Sequence, residues 1–274
     1  MKNKNDRYHG KSAYNGDIGD KRDIPRDESR ESDDIVYGRN AVLELLKSGR
    51  SIDKIYIKSG ELEGSITVIA AEAKNRGVPV VSVSREKLDR MSGGGVHQGV
   101  AAIASGVEYS GIDDILRYAE ETGRPPFIVI CDGVEDPHNL GAIIRCAEGC
   151  GVHGVVISKR HSAPVSGTVV KASAGALAHM RIARVVNVAS CIDELKEKGL
   201  WVYGAEADGV SVYDTDMKGP VAVVVGSEGQ GISRLVREKC DFMISIPMYG
   251  KVNSFNVSCA CAVILCEAAR KRNN

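Results

Sequence analysis

At 274 residues the chain is long enough for two domains, and 43% hydrophobic with 26% charged residues is typical of a globular protein. The 36 basic and 36 acidic residues give a formal net charge of zero, which excludes a chain-wide positive field for a polyanionic partner. No apolar run is long enough to cross a bilayer, and MKNKNDRYHG lacks the apolar core of a secretory signal. We therefore expect a cytoplasmic protein without a membrane partner.

Cysteine and histidine spacing favours neither a metal site nor a disulfide framework. The 8 cysteines include no C-x-x-C pair, and His138, His153, His161 and His179 lack the spacing of metal ligands. We expect no metal, and we interpret the cysteines as small, buried apolar residues.

The N-terminal part of the chain divides into a polar segment and a small α/β domain. Residues 1–33 mix both charge signs with few apolar residues, which predicts a disordered tail. Over residues 34–105 the pattern predicts helices in YGRNAVLELLKSG and SITVIAAEAKNRG, and strands in IDKIYIKS, VPVVSVS and GVAAIAS. The glycine cluster SGGGV before the last strand predicts a mobile loop.

The C-terminal part predicts a second, larger α/β domain. Residues 106–123 are polar, with one helical segment in IDDILRYAEE, and predict a linker that ends before Pro125 and Pro126. Over residues 124–274, strands such as FIVICDGV, HGVVIS and PVAVVVGSE alternate with helices such as LGAIIRCAEGCG and TVVKASAGALAH. Strands rich in valine and isoleucine between helices predict a mostly parallel sheet covered on both faces.

Three polar loops of this second domain follow predicted strands, where ligands bind in parallel sheets. They are DGVEDPHNLGAIIR (132–145), VVVGSEGQGISR (223–234) and SIPMYGKVNSFNVS (245–258). Taken singly, each has a simpler interpretation, because Asn139 suits a helix N-cap and Gly229 and Gly231 suit a tight turn. The helix after the third loop is apolar on nearly every face, which predicts burial in the core and against a second subunit.

Gly149, Gly151 and Gly154 spell G-x-G-x-x-G, the fingerprint of dinucleotide-binding folds. That fingerprint follows a strand and opens a helix, whereas these glycines end a predicted helix and precede a strand. We interpret them as a helix C-cap and turn. This disfavours a nicotinamide-dependent oxidoreductase, which the α/β alternation alone would suggest.

In this order, the three loops resemble the signature motifs of the SpoU/TrmH family of RNA 2′-O-methyltransferases, within the SPOUT class. The matching residues are D-P-H-N-L-G with Arg145 six residues after Asn139, then G-S-E-G-Q-G, then I-P-M followed by N-S-F-N-V-S. Residues 34–105, with Y-G-R-N-A-V and H-Q-G-V-A-A, are similar to the L30e-like RNA-binding domain of one branch. That branch includes bacterial enzymes that methylate a guanosine ribose in 23S ribosomal RNA.

The resemblance implies a C-terminal domain with a trefoil knot that binds S-adenosylmethionine, forms a homodimer and methylates structured RNA. The implied substrate is 23S rRNA, with tRNA as the alternative. Gly226, Ile246 and Phe255 match cofactor-binding positions, although leucine is usual at the position of Phe255. Five polar residues match the reaction centre: Asn139, Arg145, Glu228, Ser254 and Asn256.

Such a reaction needs a positioned ribose 2′-hydroxyl and a proton acceptor, without a metal. Guanidinium groups stay protonated in proteins, so we expect Arg145 to anchor a phosphate or the developing alkoxide. Glu228 or a substrate phosphate would then accept the proton. Candidate contacts to the RNA backbone are Lys159, Arg160, Lys171, Arg181 and Arg184. Taken singly, each of them is more simply interpreted as a solvated surface charge. The alternative is a non-catalytic RNA-binding protein that keeps the knot as a dimerisation module.

Overall fold

The computed structural model describes residues 35–48, 50–60 and 64–273, which form two sheets with their own helices. The tail predicted for residues 1–33 lies outside the described residues. Within the described ranges, no helix has the length and apolar character needed to cross a membrane. These ranges also contain no group of three or more His, Cys, Asp or Glu side chains placed to hold a metal ion.

The first domain is built on a small mixed sheet. Its elements are β1 (Ile35–Tyr37), α1 (Arg39–Lys47), β2 (Ile52–Lys58), α2 (Ser65–Asn75), β3 (Val80–Val83), α3 (Arg85–Met91) and β4 (Val100–Ala104). The strand order is β1-β4-β2-β3, in which β2 and β3 are parallel and the other pairs antiparallel. Val42 of α1 and Ile69 of α2 are fully buried with Ile55 of β2 in one core. The helices and strands predicted for this domain are present, except that Tyr37, at the start of the first predicted helix, lies in β1. Neither β1 nor α3 was predicted, and α3 buries only Leu88.

The second domain is built on a six-stranded sheet. Its elements are α4 (Ile112–Thr122), β5 (Phe127–Cys131), α5 (Pro137–Gly149), β6 (Gly154–Ser158), α6 (Gly167–Ala172), β7 (Arg181–Val185), α7 (Val188–Glu197), β8 (Trp201–Ser211), β9 (Val221–Val225), α8 (Arg234–Lys239), β10 (Phe242–Ser245) and α9 (Val257–Arg272).

The six strands run in the order β10-β8-β9-β5-β6-β7, and every neighbouring pair is parallel. All residues of β5 and β9 are buried, because helices cover both faces of the sheet and leave no side open to water. Residues of alternating orientation, such as Val129 and Ile130, therefore belong to two separate apolar clusters. The predicted α/β fold with a mostly parallel sheet is confirmed.

Two predicted features of this domain are revised and one is confirmed. The helix predicted over TVVKASAGALAH ends at Ala172, because Ala174 and Gly175 have φ of 49° and 90°. The prediction that the cysteines are buried is wrong for Cys259 and Cys266, which are exposed. Gly149 ends α5 and Gly151 has φ of 73°, so the G-x-G-x-x-G sequence is a helix end and turn.

The segment over residues 106–123 contains α4, which packs against the second sheet. Ile115 of α4 is fully buried in the cluster that contains Ile128 of β5. The Thr122 hydroxyl hydrogen bonds to Nε2 of His153 at 3.1 Å, while Nδ1 of His153 accepts from the Phe127 amide at 3.0 Å. Burial, with the charges of Arg272 and Arg124, lowers the pKa of His153 to about 4. The neutral imidazole therefore bridges the end of α4 to β5.

A buried ion pair joins the two domains. Nη1 of Arg184, on β7, donates to Oδ1 of Asp53, on β2, at 2.7 Å, and Nη2 donates to the Asp53 carbonyl oxygen at 2.7 Å. The Tyr109 hydroxyl also hydrogen bonds to the Asp53 carboxylate, and the Arg184 guanidinium lies 4.8 Å from the Tyr109 ring centre. The side chains of Arg184 and Asp53 are only 8% and 2% exposed. Arg184 is therefore not available to contact RNA, and that part of the prediction is wrong.

Burial opposes the charge on Asp53. It raises the pKa of the carboxyl, and the Tyr109 hydrogen bond and the Arg184 charge act in the opposite direction. Oδ2 of Asp53 is buried without a hydrogen-bond partner in the described part of the chain. Removal of either charged partner would leave the other desolvated and uncompensated.

We expect Arg184→Met to lower the free energy of unfolding by roughly 3–5 kcal/mol, because Asp53 would remain buried without its cation. Urea unfolding followed by the fluorescence of Trp201 would measure this. The double variant Arg184→Met/Asp53→Asn should recover part of the loss. Arg117→Met is the matched control, because Arg117 and its partner Asp114 are exposed, and such pairs contribute less than about 1 kcal/mol. Equal losses in the two arginine variants would contradict the assigned role.

Candidate functional site

The three motif loops meet at one edge of the second sheet. Strands β5 and β9 are neighbours, with Cys131 beside Val225, and the Asp132 amide donates to the Val225 carbonyl at 2.9 Å. The chain runs outward from β5 through β6 to β7, and then crosses to β8 on the other side. The carboxyl ends of β5 and β9 thus form a topological switch point, where crevices open in parallel sheets.

The first loop places Asn139 inside a helix rather than at its cap. Asp136 is the N-cap of α5, since its side chain accepts from the His138 amide at 2.7 Å, and Pro137 occupies the first helical position. The simpler interpretation of Asn139 as an N-cap is therefore wrong. Asn139 lies in the first turn of α5, is buried, and points its amide at the second loop.

The second loop is a tight turn over residues 227–231 that presents Glu228. Ser227 and Gly231 exchange backbone hydrogen bonds of 2.9 and 3.0 Å, and Gly229 and Gly231 have φ of 86° and 67°. The turn interpretation of these two glycines is correct. Gly226 differs, because a Cβ there would overlap the backbone of Gly231 and force the turn open.

The third loop ends at Asn256, which caps α9. Its Oδ1 accepts from the amides of Ser258 at 3.0 Å and Cys259 at 3.4 Å. Asparagine is a favoured N-cap because its side chain satisfies the free amides of the first turn. Since Oδ1 is committed to the helix, Nδ2 of Asn256 must point away from it, towards the other two loops.

A hydrogen-bonded triad joins the three loops. Nδ2 of Asn139 donates to Oε1 of Glu228 at 2.6 Å. Nδ2 of Asn256 donates to the same oxygen at 2.8 Å and to Oδ1 of Asn139 at 3.0 Å. One carboxylate oxygen therefore accepts two amide donors, while Oε2 of Glu228 has no hydrogen-bond partner among the described residues.

Two cavities lie on either side of the 227–231 turn. One, of about 530 Å³, has an apolar wall and a polar wall, which is the size and character of a small-molecule site. Its lining includes Gly226, Glu228, Ile246, Ser254 and Phe255. The other, of about 820 Å³, is lined by Asn139 and Glu228 and by acidic side chains of the first loop. Glu228 and its turn separate the two spaces.

The predicted site residues are therefore brought together in part. Asn139, Glu228 and Asn256 are in direct contact, and Gly226, Ile246, Ser254 and Phe255 line the smaller cavity. Arg145 lies further along α5, is exposed and lines neither cavity. In the described part of the chain Arg145 has no hydrogen bond or ion pair, so its guanidinium is available to a ligand.

Sequence reasoning missed two carboxylates that hold the second loop. Asp132 accepts from the Ser233 amide at 2.8 Å, and Glu206 of β8 accepts from the Ile232 amide at 2.6 Å. Asp132 directly follows the buried strand β5, and this position could have marked it as a candidate in the sequence. Glu206 lies inside β8, distant in sequence from the motifs, and nothing in its local pattern marks it.

Asn256→Asp should separate the two roles of this residue. Aspartate caps a helix as well as asparagine does, but it would replace an amide donor by a second carboxylate beside Glu228. At pH 7 we expect thermal unfolding to show a loss of about 1–3 kcal/mol, which shrinks towards pH 5 as the paired carboxylates share a proton. Asn256→Ser, which keeps a cap without a charge, should lose stability without this pH dependence. Wild-type stability of Asn256→Asp at pH 7 would contradict the triad.

Comparisons with known proteins agree with this arrangement. Residues 126–266 match the SpoU rRNA Methylase family, and residues 35–110 match the family described as RNA 2′-O ribose methyltransferase substrate binding. A protein of Bacillus subtilis (strain 168) assigned to the TrmH family of tRNA/rRNA methyltransferases, YacO, is 45% identical over 241 residues, covering 88% of this chain and 96% of that protein. A relative from Staphylococcus haemolyticus is 47% identical over 242 residues, covering 88% and 97%.

Solved structures point the same way. The SpoU methyltransferase AviRb from Streptomyces viridochromogenes, in complex with AdoMet, matches with a TM-score of 0.55 and 25% identity, covering 87% of this chain and 90% of that one. An AdoMet-bound rRNA methyltransferase from Sinorhizobium meliloti matches with a TM-score of 0.54 and 26% identity, covering 86% of each chain. Together with the convergence of the three motif loops on Glu228, these matches establish that the chain belongs to the SpoU rRNA methylase family.

Proposed function

We propose that this chain transfers a methyl group from S-adenosylmethionine to a ribose 2′-hydroxyl of RNA. The observation that carries the proposal is the fixed position of Glu228, held at a cavity wall by amides from two other loops. The family membership and the AdoMet-bound neighbours support it. The alternative, a non-catalytic RNA-binding protein, does not require a carboxylate with a free oxygen at the wall of both cavities.

The smaller cavity fits the cofactor. Ile246 and Phe255 offer an apolar wall for the adenine ring, and Gly226 lines the same cavity at the start of the turn that carries Glu228. Phe255 is 48% exposed, so its ring is accessible for packing against an occupant of this cavity. When bound there, S-adenosylmethionine supplies a methyl group on a sulfonium centre, which is intrinsically ready for transfer.

The larger cavity would admit the ribose. Glu228 faces both cavities, and its unpartnered Oε2 would accept the proton of the 2′-hydroxyl while Asn139 and Asn256 hold Oε1. Arg145, exposed on α5 outside both cavities, would bind a phosphate of the substrate and so help to position the ribose. Ser254, at the wall of the smaller cavity, would orient the methyl donor or the hydroxyl.

The substrate proposed is a guanosine of 23S rRNA in the cytoplasm. Residues 34–105 would bind structured RNA, in line with the substrate-binding match over residues 35–110, and residues 124–274 would carry the knotted catalytic domain. The relatives assigned to tRNA/rRNA methyltransferases make tRNA the competing substrate. The 2′-hydroxyl itself distinguishes RNA from DNA.

A homodimer would cover an apolar strip on α9. Cys261 and Leu265 face the core, whereas Cys259, Val263 and Cys266 are exposed on the opposite side of the helix. This α9 strip (Cys259, Val263 and Cys266) explains why the helix is apolar on nearly every face although only part of it is buried within one chain. A second copy of the strip would complete its burial.

The first test is methyl transfer from labelled S-adenosylmethionine to unmodified 23S rRNA and to bulk tRNA, followed by nucleoside mass analysis. We expect 2′-O-methylguanosine in 23S rRNA. Arg145→Ala should lower kcat roughly 100-fold, because the proposed phosphate anchor that positions the 2′-hydroxyl is lost. Its affinity for S-adenosylmethionine should not change, since Arg145 lines neither cavity.

Arg117→Ala is the control for removal of an exposed arginine from the second domain, and it should keep full activity. Arg145→Lys tests the forked guanidinium, and a wild-type rate in that variant would contradict a bidentate contact. Label found only in tRNA would show that tRNA, and not 23S rRNA, is the substrate. Cofactor binding without label in either RNA would contradict the proposed substrates.

Val263→Glu should dissociate the dimer, because it places a charge in the middle of the α9 strip. Light scattering would show wild type at twice the mass of the chain and the variant at the single mass. Val68→Glu, at a valine of α2 that is 57% exposed, is the matched control and should leave the mass unchanged. A monomeric wild type would refute the proposed homodimer.

A further inference from the structure

Glu206 of β8 holds the C-terminal end of the second motif loop. Its Oε1 accepts from the Ile232 amide at 2.6 Å, and the carboxylate lies so close to Gly231 that any side chain there would collide with it. The turn that carries Glu228 is thereby fixed at its C-terminal end. Oε2 of Glu206 has no hydrogen-bond partner in the described part of the chain, and the side chain is only half-buried.

The same side chain lines the smaller cavity. Glu206 follows Gly204, the last residue of β8 that pairs with β9, and β8 also pairs with β10, which leads directly to Ile246. Glu206 thus stands between the apolar wall at Ile246 and the turn of Glu228. A carboxylate with a free oxygen in that place is a ready acceptor for hydroxyl donors.

The chemistry of the proposed cofactor supplies such donors. Its ribose carries two neighbouring hydroxyls and joins the apolar adenine to the reacting sulfonium end. Acidic side chains recognise ribose hydroxyls in other nucleotide sites, because a carboxylate accepts the hydroxyl hydrogens that water would otherwise accept. An adenine at the apolar wall and a methyl group near Glu228 leave the ribose beside Glu206.

We propose that Glu206 accepts a hydrogen bond from the ribose of S-adenosylmethionine and, through the Ile232 amide, couples cofactor binding to the position of Glu228. This inference rests on the proposed function, because it takes the smaller cavity as the cofactor site. Glu206 is a cofactor-binding and positioning residue, and it takes no part in proton transfer.

The test is calorimetric binding of S-adenosylhomocysteine and of its 2′-deoxy and 3′-deoxy adenosyl analogues. Wild type should bind the parent about tenfold or more tightly than the analogue that lacks the recognised hydroxyl, as expected for a charge-assisted hydrogen bond. In Glu206→Ala the parent should weaken by a similar factor and this discrimination should disappear. Glu206→Gln, whose carbonyl can still accept from Ile232, should show reduced discrimination with the turn intact.

Asp132→Ala is the matched control. Asp132 holds the same loop through the Ser233 amide but does not line the smaller cavity, so its loss should weaken all three ligands equally. Full discrimination in Glu206→Ala and Glu206→Gln would overturn the inference, as would a loss in Glu206→Ala that is equal for parent and analogues. Those results would leave the proposed function standing. Failure of wild type to bind S-adenosylhomocysteine would overturn both.

Discussion

The site depends on the adjacency of β5 and β9 in an all-parallel sheet. Their hydrogen bonds fix Cys131 beside Val225, so the loops that follow them begin at the same height and must share one crevice. Valine and isoleucine, buried on both faces, hold these strands rigidly in the core. The loops themselves are free to be polar because the sheet beneath supplies the burial.

The sequence predicts the strands well where burial of apolar side chains on both faces decides the local structure. Runs such as VAVVV and FIVIC are strands because both faces are buried, and the six-stranded sheet follows from their alternation with helices. Short elements behaved differently, since α3 buries a single residue, and the helix predicted after Gly167 stops where the backbone turns left-handed at Ala174. Local pattern carries little information on either.

Pairings between distant residues account for the other differences. Arg184 is an ordinary surface cation in sequence, and only the approach of Asp53, 131 residues earlier, buries it. Asn139 fits an N-cap by composition, but Asp136 caps first and leaves Asn139 to Glu228. The family resemblance named the residues of the triad. It did not supply the neighbouring carboxylates Asp132 and Glu206, which keep the loop in place.

The larger cavity carries an excess of acidic side chains, which affects where RNA can bind. The larger cavity is lined by Asp132, Glu135, Asp136 and Glu228, with Arg234 and His161 as its basic members. Such a surface does not attract a polyanion, and the chain as a whole has no net charge to help. In the proposed function a phosphate backbone would therefore be held outside this cavity, and the first domain is the part of the chain proposed to bind RNA. The buried Asp53–Arg184 pair fixes that domain relative to the second sheet.

Asn256 links local unfolding of α9 to the position of Glu228. The side chain that caps α9 through its oxygen also donates to Glu228 through its nitrogen, so the first turn of this helix is coupled to the triad. Helix ends open with far smaller free-energy changes than whole domains. Fraying at residues 256–259 would remove one of the two amide donors to Glu228 and leave only Asn139, while all six strands stay paired. The triad can therefore be broken in a molecule that is otherwise folded.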